Sequence, residues 1–245
     1  MELKERIVQY SYLFNGDWHQ ISKALKDDLP ITEPFFIADN FITLFDEEYP
    51  QSLKELRYPP WVLYYKGDIS LLKREMVAVV GSRKMIPYGA WMTRAIVNHL
   101  PKRYGIVSGM ARGVDALAHE TAIAGGHFTI GVIGSGLDIQ YPKENKDLYE
   151  RMKDQLIISE YPHFTGVKKH HFPWRNRIIA ALAKKVIVTQ ATYKSGTMLT
   201  VNEAITLGKE IWCVPYPFNE EAGRGCNLLI QQGAQLLQTF EDICT

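Results

Sequence analysis

Short apolar, β-branched runs recur along the chain at residues 76–80, 105–108, 128–133, 155–159, 185–189 and 210–214, with helical patterns between them. The runs are apolar at successive positions, which suits strands covered on both faces. In 87–100, Met92, Ala95, Ile96 and Leu100 share one helical face, and Pro87 suits a first helical turn. Val114, Leu117, Ala118 and Thr121 repeat the pattern, and a third helix over 197–207 can end at Gly208. Such alternation predicts an α/β fold with a mostly parallel, doubly wound sheet. Ligands in that architecture bind beyond the carboxyl ends of the strands.

Residues 1–70 read as a small helical N-terminal domain, and 71–245 as the α/β domain. Tyr10, Leu13 and Phe14 suggest a buried helical face, and Asp17 suits the N-cap of a helix carrying Trp18, Ile21 and Leu25. Pro30 and Pro34 break the chain, 34–56 is expected to hold further short helices, and 61–65 an edge strand after Pro59 and Pro60. With 46% hydrophobic and 22% charged residues, the chain can fill a core and is not disordered. Cys213, Cys226 and Cys244 are odd in number and form no C-x-x-C pair, which argues against a disulfide framework or a zinc site. No cofactor or metal is expected. No run approaches the ~18 apolar residues of a membrane span, and no apolar signal core opens the chain, so a cytoplasmic protein is expected.

The strand-end loops carry the chemistry. Gly81-Ser82-Arg83 follows the first buried run; a glycine there lets backbone approach a ligand, and Arg83 can grip phosphate or simply lie solvated beside a tight turn. In the second loop Gly109 and Gly113 bracket Arg112 at a strand-to-helix junction, with Asp115 placed to favour the helix dipole. The third, with Ser135 and Gly136, superficially matches a dinucleotide fingerprint; Ile139 replaces the third glycine and the loop follows the third strand, which speaks against a dehydrogenase. The fifth, Lys194-Ser195-Gly196-Thr197, leads into a helix and can offer backbone amides to an anion.

The fourth connection is the most informative. The net charge is only +1, so a polyanion partner must be argued from local clustering. Residues 161–202 contain seven of the 28 lysines and arginines (Lys168, Lys169, Arg175, Arg177, Lys184, Lys185 and Lys194) and none of the 27 acids. Lys184 and Lys185 precede a strand, at the end away from the ligand edge. Tyr161, Phe164, Phe172, Trp174 and Tyr193 are interleaved. Cations for phosphates and aromatic faces for bases are what single-stranded nucleic acid requires. Phe172, expected in a loop beside Lys169, reads as a stacking residue; Trp174 reads better as a core residue, and His170 and His171 as neutral loop groups. A polymer of phosphates needs repeated cradles along an edge, and four or five strand ends here supply a glycine or a cation.

Gly81-Ser82-Arg83, Ser108-Gly-Met-Ala-Arg-Gly-Val-Asp115, Gly134-Ser-Gly-Leu-Asp-Ile-Gln-Tyr-Pro142, Phe172-Pro-Trp-Arg-Asn-Arg177 and Ser195-Gly-Thr197 occur in order. Together they resemble the motifs of the DNA-processing protein A (DprA/Smf) family, over roughly residues 45–240. The resemblance implies an extended Rossmann-like domain that binds single-stranded DNA and forms a homodimer. It further implies protection of incoming strands and their delivery to RecA recombinase during natural transformation, with no catalysis. It places DNA contacts on Arg83, Arg112, Lys169, Phe172 and the Arg175-Asn176-Arg177 neighbourhood; Lys168, from the acid-free tract, and the loop residues above complete the expected site. It places a dimer or recombinase surface around 227–237, with Leu228, Leu229, Leu236 and Leu237. Many members carry a C-terminal winged helix, which does not follow here before Thr245; Ala181 and Tyr216 stand where glycine is usual.

Two other readings compete. A nucleotide phosphoribohydrolase-like enzyme would share the sheet and the Gly-Thr helix start, but it carries a glutamate where Thr200 stands, and the nearest carboxylate is Glu203. A Rossmann shell binding a small regulatory anion is compatible with the fold alone.

Overall fold

The computed structural model describes residues 2–244. The chain opens with α1 (Leu3–Leu13) and α2 (Trp18–Lys26), followed by β1 (Asn40–Thr43), α3 (Gln51–Lys54) and β2 (Val62–Gly67). Then come β3 (Glu75–Gly81), α4 (Pro87–His99), β4 (Tyr104–Gly109), α5 (Val114–Ala124), β5 (Thr129–Ile133), α6 (Lys146–Arg151) and β6 (Leu156–Ser159). The last third holds α7 (His171–Leu182), β7 (Ala183–Gln190), α8 (Thr197–Thr206), β8 (Glu210–Cys213), α9 (Arg224–Gln231) and β9 (Gln235–Leu236). All six apolar runs of the sequence are strands, β3 to β8; the central residues of β3 to β7 are buried, and in β8 Ile211 and Cys213 are buried and Trp212 half-buried.

Among the described residues, nine strands form one sheet in the order β1-β2-β6-β5-β4-β3-β7-β8-β9. It is parallel from β6 to β9; β2 runs antiparallel to both β1 and β6. From β3 the chain winds one way through β4, β5 and β6, then crosses back to β7 and winds the other way. The switch point therefore lies between β3 and β7. Right-handed crossovers place the helices of the two windings on opposite faces; α4 packs on α5, and α7 packs on α8.

The sheet runs through the boundary expected near residue 70. β1 and β2 extend it, and 61–65 is not an edge strand, because β1 pairs outside β2. The region 34–56, expected to hold further short helices, supplies β1 as well as α3. Only α1 and α2 are a helical appendage: Ile7 and Val8 of α1 pack on Val62 and Tyr64 of β2. Asp17 caps α2 as the sequence predicts, accepting from the Gln20 amide at 2.9 Å. Trp18 stacks on Trp61 at 5.6 Å, and its Nε1 donates to the Pro59 carbonyl at 2.8 Å.

The carboxyl end of β4 is secured by a buried histidine. His119 Nε2 donates to the Gly109 carbonyl at 2.8 Å, and Nδ1 lies 2.7 Å from the Thr129 hydroxyl. Burial draws its pKa down to about 4, so the folded protein refuses a proton that the unfolded chain takes near pH 6.5. The stability from this site is complete above pH 6.5 and is lost as pH falls towards 4, by up to about 3 kcal/mol. Asp115 works in the opposite sense. Its burial pushes its pKa up to about 6, so the folded state takes up that proton first as pH falls. His119→Gln is expected to flatten the decline of the urea midpoint between pH 6.5 and 4; curves parallel to the parent would show that His119 does not drive it.

Candidate functional site

Two adjoining cavities open at the carboxyl ends of β3, β4, β5 and β7. One encloses about 620 Å³ and the other about 140 Å³. Arg83, Ala111, Tyr141, Phe172 and Arg175 line both, so they form one groove across the switch point. Along it runs a cation–aromatic row: the Arg83 guanidinium sits 5.6 Å from the Phe172 ring centre, and that ring lies 5.7 Å from Tyr141. Arg83 and Tyr141 are exposed and Phe172 is half-buried. Tyr141 was not singled out from the sequence as a site residue; its aromatic character and its place in the third strand-end loop were the available signals.

The wall opposite is the start of α8. Ser195 and Gly196 line the larger part of the groove, and the Ser195 hydroxyl is buried without a hydrogen-bond partner among the described residues. Gly81, Ser82 and Asn176 also line that part, whereas Arg112 and Ser135 line the smaller one. Arg112 pairs with Glu144 at 3.2 Å on an exposed rim, so its charge is already partly met. Lys194 is exposed beside Ser195 but is not on the groove lining.

Phe172 reaches the groove from the first turn of α7, where the sequence suggested a loop, and Lys169 from the turn just ahead of it. Lys168 and Lys169 immediately precede this helix, and its first turn contains no acid. The positive end of a helix dipole favours anions. Two lysines gathered there are mutually unfavourable unless an anion joins them. The α8 start has the same character, with Lys194 just ahead and no acid in its first turn.

Other expected contacts are internal. Arg175 lines the groove floor but is almost wholly buried there, where Nη1 donates to the Val132 carbonyl and Nε to Asn176 Oδ1 at 3.2 Å. Beside it, Asp115 is raised towards pH 6 by burial, an effect the nearby Arg175 charge opposes. Gly109 makes room for this pair: a Cβ there would lie 2.5 Å from Asp115 Oδ2 and 2.7 Å from Arg175 Nη2. Gly113, at φ +81°, would drive a Cβ into the Ser82 carbonyl, which the Val114 amide holds at 3.1 Å. Gly136 is buried and donates to the Thr165 carbonyl at 2.9 Å. These three glycines join loops to one another and do not line the groove.

Arg177 is not brought to the groove at all. It is buried, with Nη2 on Glu160 Oε1 at 2.6 Å, Nη1 on the Trp174 carbonyl at 2.7 Å and Nε on the Tyr58 carbonyl at 3.1 Å. Lys184 pairs with Glu75 at 2.9 Å, and Lys185 is buried, both at the far end of the sheet. Lys168 faces a separate cavity beyond α7. Of the leucines expected on a partner surface, Leu229 and Leu237 belong to the core, because α9 and the segment after β9 close the last strands. Leu228 is half-buried and Leu236 is exposed.

Fold and groove together define a Rossmann-like protein whose switch point opens into a cationic, aromatic-walled cleft. The model of the DNA recombination-mediator protein A family matches residues 40–245. The chain belongs to that family. It is 40% identical over 218 residues to the DNA processing protein DprA of Streptococcus pneumoniae, covering 89% of this chain and 77% of the relative. The X-ray structure of DprA from S. pneumoniae superposes with a TM-score of 0.83 at 33% identity, over 98% of this chain and 92% of that one. A Helicobacter pylori DprA structure, described for its single-stranded DNA binding mode, gives 0.75 at 35% identity, over 83% and 94%. Among the described residues no helix is long and apolar enough to cross a membrane.

Breaking a buried ion pair strands a charge. Arg177→Ala is therefore expected to lower stability by about 3–5 kcal/mol in urea titration. A loss under about 1 kcal/mol would instead give the Arg177–Glu160 pair only the weight of a surface pair.

Proposed function

We propose that the groove holds single-stranded DNA, by its phosphates and by stacking, without strong sequence preference. The observation that carries this reading is the Arg83–Phe172–Tyr141 row with Lys169 beside it, in a groove open along the sheet edge. Phosphates find Arg83, Lys169 and the α8 start; bases find aromatic faces. The H. pylori relative, studied for single-stranded DNA binding, supports the assignment. In this reading the protein acts by binding, not catalysis: of the carboxylates lining the groove, Glu144 is paired with Arg112 on the rim and Asp115 is buried, so no two free carboxylates face one another for acid–base work. Within the cytoplasm it works as a homodimer that shields incoming strands and hands them to RecA recombinase during transformation. Family membership supports that part, and exposed Leu236 with half-buried Leu228 offers a contact surface.

Binding to oligo-dT is expected to weaken steeply with salt, and Lys169→Ala to reduce the log–log slope by about 0.7, the single-strand value for one phosphate. Affinity for oligo-dT no greater than for a mononucleotide would leave only a small-anion site. Phe172→Ala is expected to lose about 1–3 kcal/mol of binding while remaining folded; a variant that melts early yet binds normally would make Phe172 a packing residue. The recombinase role is tested by RecA filament assembly on strands coated with single-strand-binding protein, which this protein should accelerate.

A further inference from the structure

The start of α7 is a ridge with a cavity on each side. Lys169 and Phe172 line the groove; Lys168 and Trp174 line a second cavity of about 380 Å³, a volume within the range of ligand sites. Its far wall is the beginning of α2, with Trp18 and His19. Each side of the ridge thus joins an exposed lysine to a half-buried aromatic ring. We propose that the second cavity takes another nucleobase of the same single strand, whose backbone crosses the ridge between Lys168 and Lys169. The proposal rests on the reading of the groove as a single-stranded DNA site.

The rings of this cavity are fixed in advance. Trp174 lies 5.5 Å from Tyr58 and Trp18 5.6 Å from Trp61, so little freedom is lost when a base stacks there. His171 forms the partition: its ring lines the second cavity, and its Nδ1 lies 2.9 Å from the carbonyl of Gly134, which lines the groove. A carbonyl only accepts, so Nδ1 carries the proton and Nε2 is left as an acceptor. Burial draws the His171 pKa down to about 4 and keeps the ring neutral. An acceptor beside aromatic walls suits the N–H edge of a base. Asp17 also lines the cavity, its carboxylate engaged by the Gln20 amide at 2.9 Å. That charge disfavours a phosphate inside and keeps the backbone at the two lysines on the ridge.

The experiment is photocrosslinking of the full chain to oligo-dT carrying 4-thiothymidine at successive positions, with the attachment sites read by mass spectrometry. Two groups of crosslinks are expected, offset along the strand: one at Phe172 and Tyr141, the other at Trp18, His170 and Trp174. Crosslinks confined to the groove would overturn the second site and leave the groove intact; absence of any binding would instead remove the groove reading. In parallel, affinities are measured over lengths from about three to about ten nucleotides, spanning the smaller site sizes of such domains. Lys168→Glu should lower the ratio of long-oligomer to short-oligomer affinity roughly tenfold, the scale of one stacked base. A ratio equal to the parent's would also overturn the proposal.

Discussion

The arrangement of the groove depends on one buried guanidinium. Arg175 lies in its floor, donating to the Val132 carbonyl at the end of β5 and to Asn176 on its own helix, with the Asp115 carboxylate of α5 beside it. A charge taken out of water is tolerated only when paired and hydrogen-bonded. Those requirements hold the start of α7 over the ends of the central strands. Arg177, two residues on, clamps the same helix to Glu160 after β6 and to Tyr58 before β2. Two buried arginines, one in the groove floor and one behind it, thereby determine where Lys168, Lys169, Phe172 and Trp174 can be.

The charge pattern follows from this division of labour. Buried Arg177 is paired with Glu160, buried Arg175 is held by the Val132 carbonyl and Asn176, and Lys184 is paired with Glu75 at the opposite end of the sheet. At this edge Arg83, Lys168, Lys169 and Lys194 stay exposed without an ion pair among the described residues, and the first turns of α7 and α8 carry no acid. A chain of net charge +1 can therefore present a strongly positive edge, because focusing depends on where charges stand and not on their sum.

The strands β3 to β8 were legible because strands covered on both faces must be apolar at every position. β1 was not: Asn40-Phe41-Ile42-Thr43 is four residues long, with only its second half buried. α7 escaped for a different reason. Its buried positions include Arg175, Asn176 and Arg177, and polar residues there erase the apolar period by which a helix is recognised. The same feature inflated the apparent site, since the acid-free tract counted two cations that the fold consumes. Its acid-free character also ends at Glu160, the residue that takes up Arg177. Arg83, Lys169, Phe172 and Ser195 could be placed because they sit at strand ends or helix starts, where the topology brings side chains together.

Under the proposed single-stranded DNA function, the contact between Arg83 and Phe172 constrains how a base would enter. At 5.6 Å the guanidinium already occupies one approach to the ring, and Tyr141 lies tilted at 38° on another. A base must either stack on the outer face of Arg83, extending the row, or displace the arginine towards a phosphate. Guanidinium planes stack on bases as readily as on phenyl rings, and their charge still reaches an adjacent phosphate. The first route keeps the existing contact and adds to it, whereas the second must first break it. A row that lengthens by one ring per nucleotide is also indifferent to base identity, since every base offers a face and none is read at its edge. For the proposed DNA ligand, the groove as folded thus favours a strand laid along Arg83 and Phe172 over one inserted between them.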